Sequence, residues 1–198
     1  VYNLTLESPK FSHSFGDGVS GRPKLYGGIL SRTNEGLIDS VTINNADVDL
    51  SYNYVNSSNY VQLDGFGMLC CENNGKVTNC TVSGKMSISS DMWNVGGLVG
   101  VNGALAYSSD RPETAKYGTV AACRANVNMS IDGKGVYGNY LEFTAPGVGY
   151  NKYGKVYNVW TEGTITNNLA FINSKSRCGL VVGFTSSDSE VEDCYYDY

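Results

Sequence analysis

The chain reads as an all-β protein, a single-stranded right-handed parallel β-helix of about five rungs with three short strands each. Three observations predict this. A strand with the fingerprint Gly-x-Val/Ile-x-x-Val/Cys recurs at Gly36–Val41, Gly75–Cys80, Gly118–Cys123 and Gly154–Val159, with looser copies at Ser189–Cys194 and Val1–Leu4. Its anchor aliphatics Val1, Ile38, Val77, Val120, Val156 and Val191 fall about 35 to 43 residues apart, within the period range of repeat architectures. Aligning the copies lines up further apolar residues into columns. Right-handedness is expected because parallel crossovers nearly always take that hand.

The clearest copy, Gly67–Ile88, supplies the elements in order. Gly67–Cys70 is an apolar run and reads as a strand, followed by Glu72-Asn73-Asn74-Gly75 as a turn. Lys76–Val82 alternates apolar and polar residues, the mark of a half-buried strand. Ser83-Gly84 reads as a second turn before the alternating Lys85–Ile88. Asn, Gly and Ser tolerate positive φ or bond their own backbone, which suits turns.

Stacked, the copies give a column of the anchors and a second of Leu4, Val41, Cys80, Cys123, Val159 and Cys194. A third runs Leu6, Ile43, Val82, Ala125, Thr161, Tyr196. The upstream strand recurs as Gly28-Ile-Leu, Gly67-Met-Leu, Gly97-Leu-Val, Gly147-Val-Gly and Gly179-Leu-Val. The downstream strand supplies Val48 and Leu50, Met86 and Ile88, Met129 and Ile131, then Ile165. One rung cannot bury its apolar face alone, whereas rungs stacked about 4.8 Å apart bury a continuous core.

Gly-Gly-Leu-Val-Gly at Gly96–Gly100, followed by Gly-x-Val-x-Asn-Cys and the closing Cys-Tyr-Tyr-Asp of Cys194–Asp197, resembles the GLUG-type repeat of large bacterial surface proteins. The resemblance covers most of the chain in about five copies. It implies an extracellular, cell-surface setting, with adhesins and the non-catalytic parts of IgA-peptidase-like proteins as the company. Copies four and five depart from the pattern: Gly147-Val-Gly-Tyr lacks the paired glycine, and Ser189 replaces the strand glycine.

The 198 residues are expected to form a single repeat domain spanning residues 1–198, cut from a longer chain because it opens and closes inside a repeat. With 24 glycines, only four prolines and 15 tyrosines, the composition suits turn-rich β structure. A net charge of −5 argues against nucleic acid, whose binding rests on basic contacts to phosphate. The weakly polar run Gly96–Ala106 is too short for membrane insertion and contains Asn102.

Six cysteines raise the question of disulfides. Cys80, Cys123 and Cys194 alternate with Val and Leu at one inward position, as small buried hydrophobes do. Stacked side chains point the same way rather than at each other, and the vicinal Cys70-Cys71 pair is a poor bridge, so free thiols are expected. No metal site or cofactor is expected either: there is no Cys-x-x-Cys spacing, and His13 is the only histidine.

Candidate chemistry is sparse. His13 lies among Ser12, Ser14 and Asp17, but a triad is a spatial arrangement, so no catalytic residue is assigned. Asp47 and Asp49 flank Val48 and point outward together, which is ordinary for a solvated sheet although paired carboxylates also hold calcium or cleave glycosides. The sequons at Asn3, Asn56, Asn79 and Asn128 are not read as glycosylation; at Asn3 and Asn79 the repeat itself requires Asn, to turn inward or bend the strand. Candidate ligand-binding residues are aromatics in the loops: Tyr52, Tyr54 and Tyr60 in Ser51–Asp64; Tyr107 with Arg111 in the insertion Ala104–Lys116; and Tyr137 and Tyr140 in Gly133–Phe143. Tyrosine among Ser and Asn offers large contact area at little entropic cost; the competing reading is that such rings cover rung edges.

The expected function is a non-enzymatic module serving in adhesion or ligand recognition, or as a rigid stalk. Its partner would be a glycan or protein of a host or neighbouring cell, and exposed end rungs could support self-association. A carbohydrate-active β-helix enzyme (polysaccharide lyase or hydrolase) and an accessory region of a large surface peptidase are the alternatives. The columns carry two predictions. Cys80→Asp and Cys123→Asp each bury an unpaired carboxylate and should lower the melting temperature severely; near-unchanged melting of both would refute the columns. Deleting residues 108–113 should leave the domain folded by circular dichroism, since insertions in solenoids project as loops.

Overall fold

A computed structural model describes residues 1–13, 24–51, 62–89, 92–103, 117–132, 141–168 and 177–197. The described residues form 22 strands and no helix, and the recorded strand pairings are all parallel. None of the structure is therefore a helix long and apolar enough to cross a membrane.

The strands fall into three sheets. Sheet I contains Lys24–Gly27, Gln62–Gly67, Met92–Gly96, Leu141–Ala145 and Arg177–Cys178 in chain order. Sheet II contains Ser31–Asn34, Cys70–Asn73, Val99–Asn102, Val148–Asn151 and Val182–Thr185, also in chain order. Sheet III holds the other 12 strands, the longest being Leu37–Ser51, and is strongly curled. From Lys24 onward the chain visits I, then II, then III, and returns to I, laying each new strand beside its predecessor.

The aliphatic columns are register partners. Ile38 lies opposite Val77, Val77 opposite Val120, Val120 opposite Val156 and Val156 opposite Val191. The third column is continuous from Leu6 through Ile43, Val82, Ala125 and Thr161 to Tyr196. Val48, Met86, Met129 and Ile165 align downstream. Ile38, Val77, Val120, Val156, Ile43, Val82, Ala125, Val48, Met86 and Met129 of these columns make one buried cluster with Phe66, Met68, Leu69 and Leu98. Leu6 and Ile165 pack against it partly buried, and Val191 is exposed. Phe11 lies on the cluster with its ring 5.1 Å from that of Phe66.

Three local expectations change. Gly67–Cys70 is not a strand: Met68 and Leu69 form the corner between Gln62–Gly67 of sheet I and Cys70–Asn73 of sheet II. These residues are apolar because a corner pointing into the core is buried, not because they sit in a ladder. The upstream copies also slide: Gly67 pairs with Gly96 rather than Gly97, and Gly96 with Ala145 rather than Gly147. At this corner the carbonyl of Val99 leaves no room; a Cβ at Gly96 would lie 1.9 Å from its oxygen. Ser83-Gly84 is no turn but part of the strand Thr81–Ser89, lying opposite a bulge at Asn45; a Cβ at Gly84 would fall 2.2 Å from the Ala46 oxygen.

The true bend lies earlier. Asn3, Ser40, Asn79, Ala122, Asn158 and Asp193 occupy one position of the repeat, and all have φ between 49° and 53°. A straight strand puts residues three apart on opposite faces. The left-handed residue turns the chain so that Val77 and Cys80, like Ile38 and Val41, both face inward. Asn and Asp tolerate this conformation better than most residues. Asn3 and Asn79 are exposed and bend the strand rather than turning inward. Asp39 steadies the next bend, accepting hydrogen bonds from Thr78 Oγ1 at 2.5 Å and Asn79 Nδ2 at 2.9 Å, which lower its pKa together with one from Ser40.

The inward asparagines are others. Asn34, Asn73, Asn102 and Asn151 stack in register at the ends of the sheet II strands, and all are buried. Nδ2 of each of the first three donates to Oδ1 of the next, at 2.8, 2.8 and 2.9 Å. Each also donates across the corner to sheet III, to the carbonyls of Lys76, Thr119, Lys155 and Glu190. Asn102 Nδ2 further reaches the Gly118 carbonyl at 3.2 Å, tying together the two flanks of the 104–116 insertion, which itself lies outside the described residues. The sequence shows this ladder as an Asn two residues before Gly at Asn34 and Asn73, a spacing that reads as a turn when taken alone.

All six cysteines are free. Cys70, Cys71, Cys80 and Cys123 are buried, and burial raises the Cys70 thiol well above its ordinary pKa. The ladder generates a prediction. Asn102→Leu strands the Asn151 acceptor and the Gly118 and Lys155 carbonyls, and should cost about 2–4 kcal/mol, seen as a melting temperature lower by roughly 5–15 °C. An unchanged melting curve would deny the ladder its structural role.

Candidate functional site

The seven aromatic and basic residues singled out as ligand contacts, Tyr52, Tyr54, Tyr60, Tyr107, Arg111, Tyr137 and Tyr140, lie outside the described residues, as do Ser14 and Asp17 beside His13. His13 itself uses its backbone N–H to reach the Asp49 carbonyl at 2.9 Å, as sheet pairing requires. Asp47 pairs with Lys85 at 3.3 Å across neighbouring strands, and Asp49 is exposed on the same face. Phe143, in the strand Leu141–Ala145, has its ring stacked 4.8 Å from Phe184 with 15° between planes and 4.8 Å from Tyr150. Among the described residues no three His, Cys, Asp or Glu side chains are placed to hold a metal ion.

What the fold does assemble is a row on the solvent face of sheet III. One register line runs Thr5, Thr42, Thr81, Arg124, Trp160 and Tyr195. The first three are small hydroxyl residues; the last three are large. Trp160 is 45% and Tyr195 59% exposed, although neighbouring strands bury the residues either side of Trp160, Val159 and Thr161. Tyr157, on the other side of the bend at Asn158, is 44% exposed. Trp160 and Tyr195 are register partners, and Tyr157 lies on the strand before the bend; among the described residues Tyr2, Leu37, Tyr117 and Leu180 are also left exposed to a comparable degree.

Ionic contacts hold the row. The Arg124 guanidinium lies 5.4 Å from the centre of the Trp160 ring, within cation–π range. It bonds to Oε1 of Glu162, while Asn126 Nδ2 donates to Oε2 at 3.0 Å. Glu162 thus orients Arg124, and Arg124 orients the indole. Across the bend Lys155 and Glu190, register partners, pair at 2.6 Å; this hydrogen bond raises the lysine pKa. These are exposed pairs and add little stability, but they restrict rotamers. Lys155, Val156, Tyr157, Glu190 and Glu192 line a cleft of about 230 Å³.

Sequence reading missed this patch because its members look like filler. Tyr157 is a variable position of the fingerprint, Trp160 follows its last residue, and Tyr195 falls in the Cys-Tyr-Tyr-Asp segment that reads as a repeat ending. The signal was present one step from the inward columns, in the outward positions. Comparisons with protein-family models, curated proteins and solved structures each find no match.

Proposed function

We propose that this chain is a non-enzymatic, extracellular repeat module of a bacterial surface protein, a single-stranded right-handed parallel β-helix of about five rungs that acts as a rigid stalk and presents its solvent face for recognition. The observation that carries the reading is the strand order: sheets I and II each hold five strands in chain order, paired in parallel, as a chain winding one way around a common core would lay them down. Right-handedness follows the general preference of parallel crossovers. The cell-surface setting rests on the GLUG-type motifs Gly96–Gly100 and Cys194–Asp197.

The recognition half of the reading is supported by the exposed row of Arg124, Trp160 and Tyr195. Glu162 bonds Arg124, and the guanidinium lies over Trp160, so part of this row is ordered before any ligand arrives, which lowers the entropy lost on binding. The test is display of the domain on a non-adherent bacterium, with attachment measured to glycan- and matrix-coated surfaces under flow, beside an assay of polysaccharide cleavage by new reducing ends or unsaturated products. Attachment without cleavage is expected. Cleavage would replace the module by a carbohydrate-active enzyme, and neither activity would leave the stalk alone.

A further inference from the structure

We propose that the patch formed by Tyr157, Trp160 and Tyr195 with the adjoining cleft is a binding site for uncharged oligosaccharides. The proposal rests on the recognition reading above and gives it a place and a ligand class.

Three features of the patch bear on ligand chemistry. The first is shape. Trp160 and Tyr195 are register partners on adjacent parallel strands, so their backbones are about 4.8 Å apart, and both rings stand on the solvent face. An aromatic face offers an apolar plane with negative quadrupole, suited to the C–H face of a pyranose. The cleft of about 230 Å³ lies on the two strands that precede these across the bend, Lys155–Tyr157 and Glu190–Glu192, and is smaller than the roughly 300–1,000 Å³ sites that enclose whole drug-sized ligands. It suits one unit of a longer chain whose neighbour rests on the rings.

The second is polarity. The cleft joins a lysine amine to the carboxylates of Glu190 and Glu192, so donor and acceptors converge beside the Tyr157 ring. Few fixed polar groups around an aromatic surface are what a hydroxyl-rich, uncharged ligand requires for orientation.

The third is charge. Arg124 and Lys155 are already paired, with Glu162 and Glu190. Glu192, Asp193 and Asp197 lie on the outermost strand segment of the same region and make the patch net negative. Sulfated, sialylated or phosphorylated ligands are therefore repelled. A cation is the other class such a surface attracts, but the guanidinium already over Trp160 occupies the interaction a cationic ligand would seek there, so a sugar must use the Tyr195 ring and the part of the indole that Arg124 does not cover.

The experiment is an array of neutral, sialylated and sulfated glycans with basic peptides as competitors, followed by calorimetry of the best neutral oligosaccharide with the folded domain. Trp160→Ala and Tyr195→Ala should each weaken binding roughly tenfold, about 1.4 kcal/mol. Trp160→Phe, which keeps an aromatic face, should weaken it less than about threefold, and Tyr2→Ala, exposed at the opposite end of sheet III, should leave it unchanged. Circular dichroism of each variant separates loss of binding from loss of fold. Neutral binding insensitive to Trp160→Ala and Tyr195→Ala would overturn this site while recognition stands through another surface. Preference for anionic glycans or for basic peptides would overturn the ligand class. No binding of any probe by folded protein would overturn both the site and the recognition reading.

Discussion

The asparagine ladder is the interaction on which the register of the structure depends. Asn34, Asn73, Asn102 and Asn151 sit where sheet II turns into sheet III, and each amide is committed in two directions. Along the stack the first three donate to the next asparagine and Asn151 accepts; across the corner each donates to a carbonyl of sheet III. Buried amides tolerate no loss of partners. A slip of one strand by one residue would break the chain of bonds at that level and orphan an amide, so apolar columns that are individually forgiving are pinned to one alignment. Hydrophobic burial supplies the drive to stack, and the ladder supplies uniqueness.

A second constraint is the left-handed residue shared by Asn3, Ser40, Asn79, Ala122, Asn158 and Asp193. It lets two residues three apart face the core together, which curls sheet III around the interior and converts a flat ladder into a wrapped one. The same bend turns the flanking residues outward together. Tyr157 and Trp160 are both exposed, one on either side of Asn158. The candidate recognition patch is thus a by-product of the geometry that closes the core: inward positions are held by packing, and outward positions next to the bend vary freely.

That freedom gives the outward row its functional interest. Thr5, Thr42 and Thr81 give way to Arg124, Trp160 and Tyr195, while Val82, Ala125 and Thr161 in the neighbouring inward column stay buried. Packing therefore does not demand the large residues. Asn126 and Arg124 both bond Glu162, and the Arg124 guanidinium lies over the indole.

Sequence alone determined the columns. Ile38 through Val191, Leu6 through Tyr196 and Val48 through Ile165 were legible as register partners because stacking places like residues at like positions, although Val191 at the last level is exposed. The burial of Cys80 and Cys123 followed from the same pattern. Only the tertiary structure decided what depends on pairs of distant residues: that Met68 and Leu69 form a corner, that Gly67 pairs with Gly96, that Asn73 meets Asn102, and that Arg124 covers Trp160. An apolar residue in a buried corner and one in a buried strand have the same hydrophobicity, and an asparagine in a turn reads the same whether its amide faces water or another asparagine. Local composition records burial; it does not record which partner fills the next level of the stack.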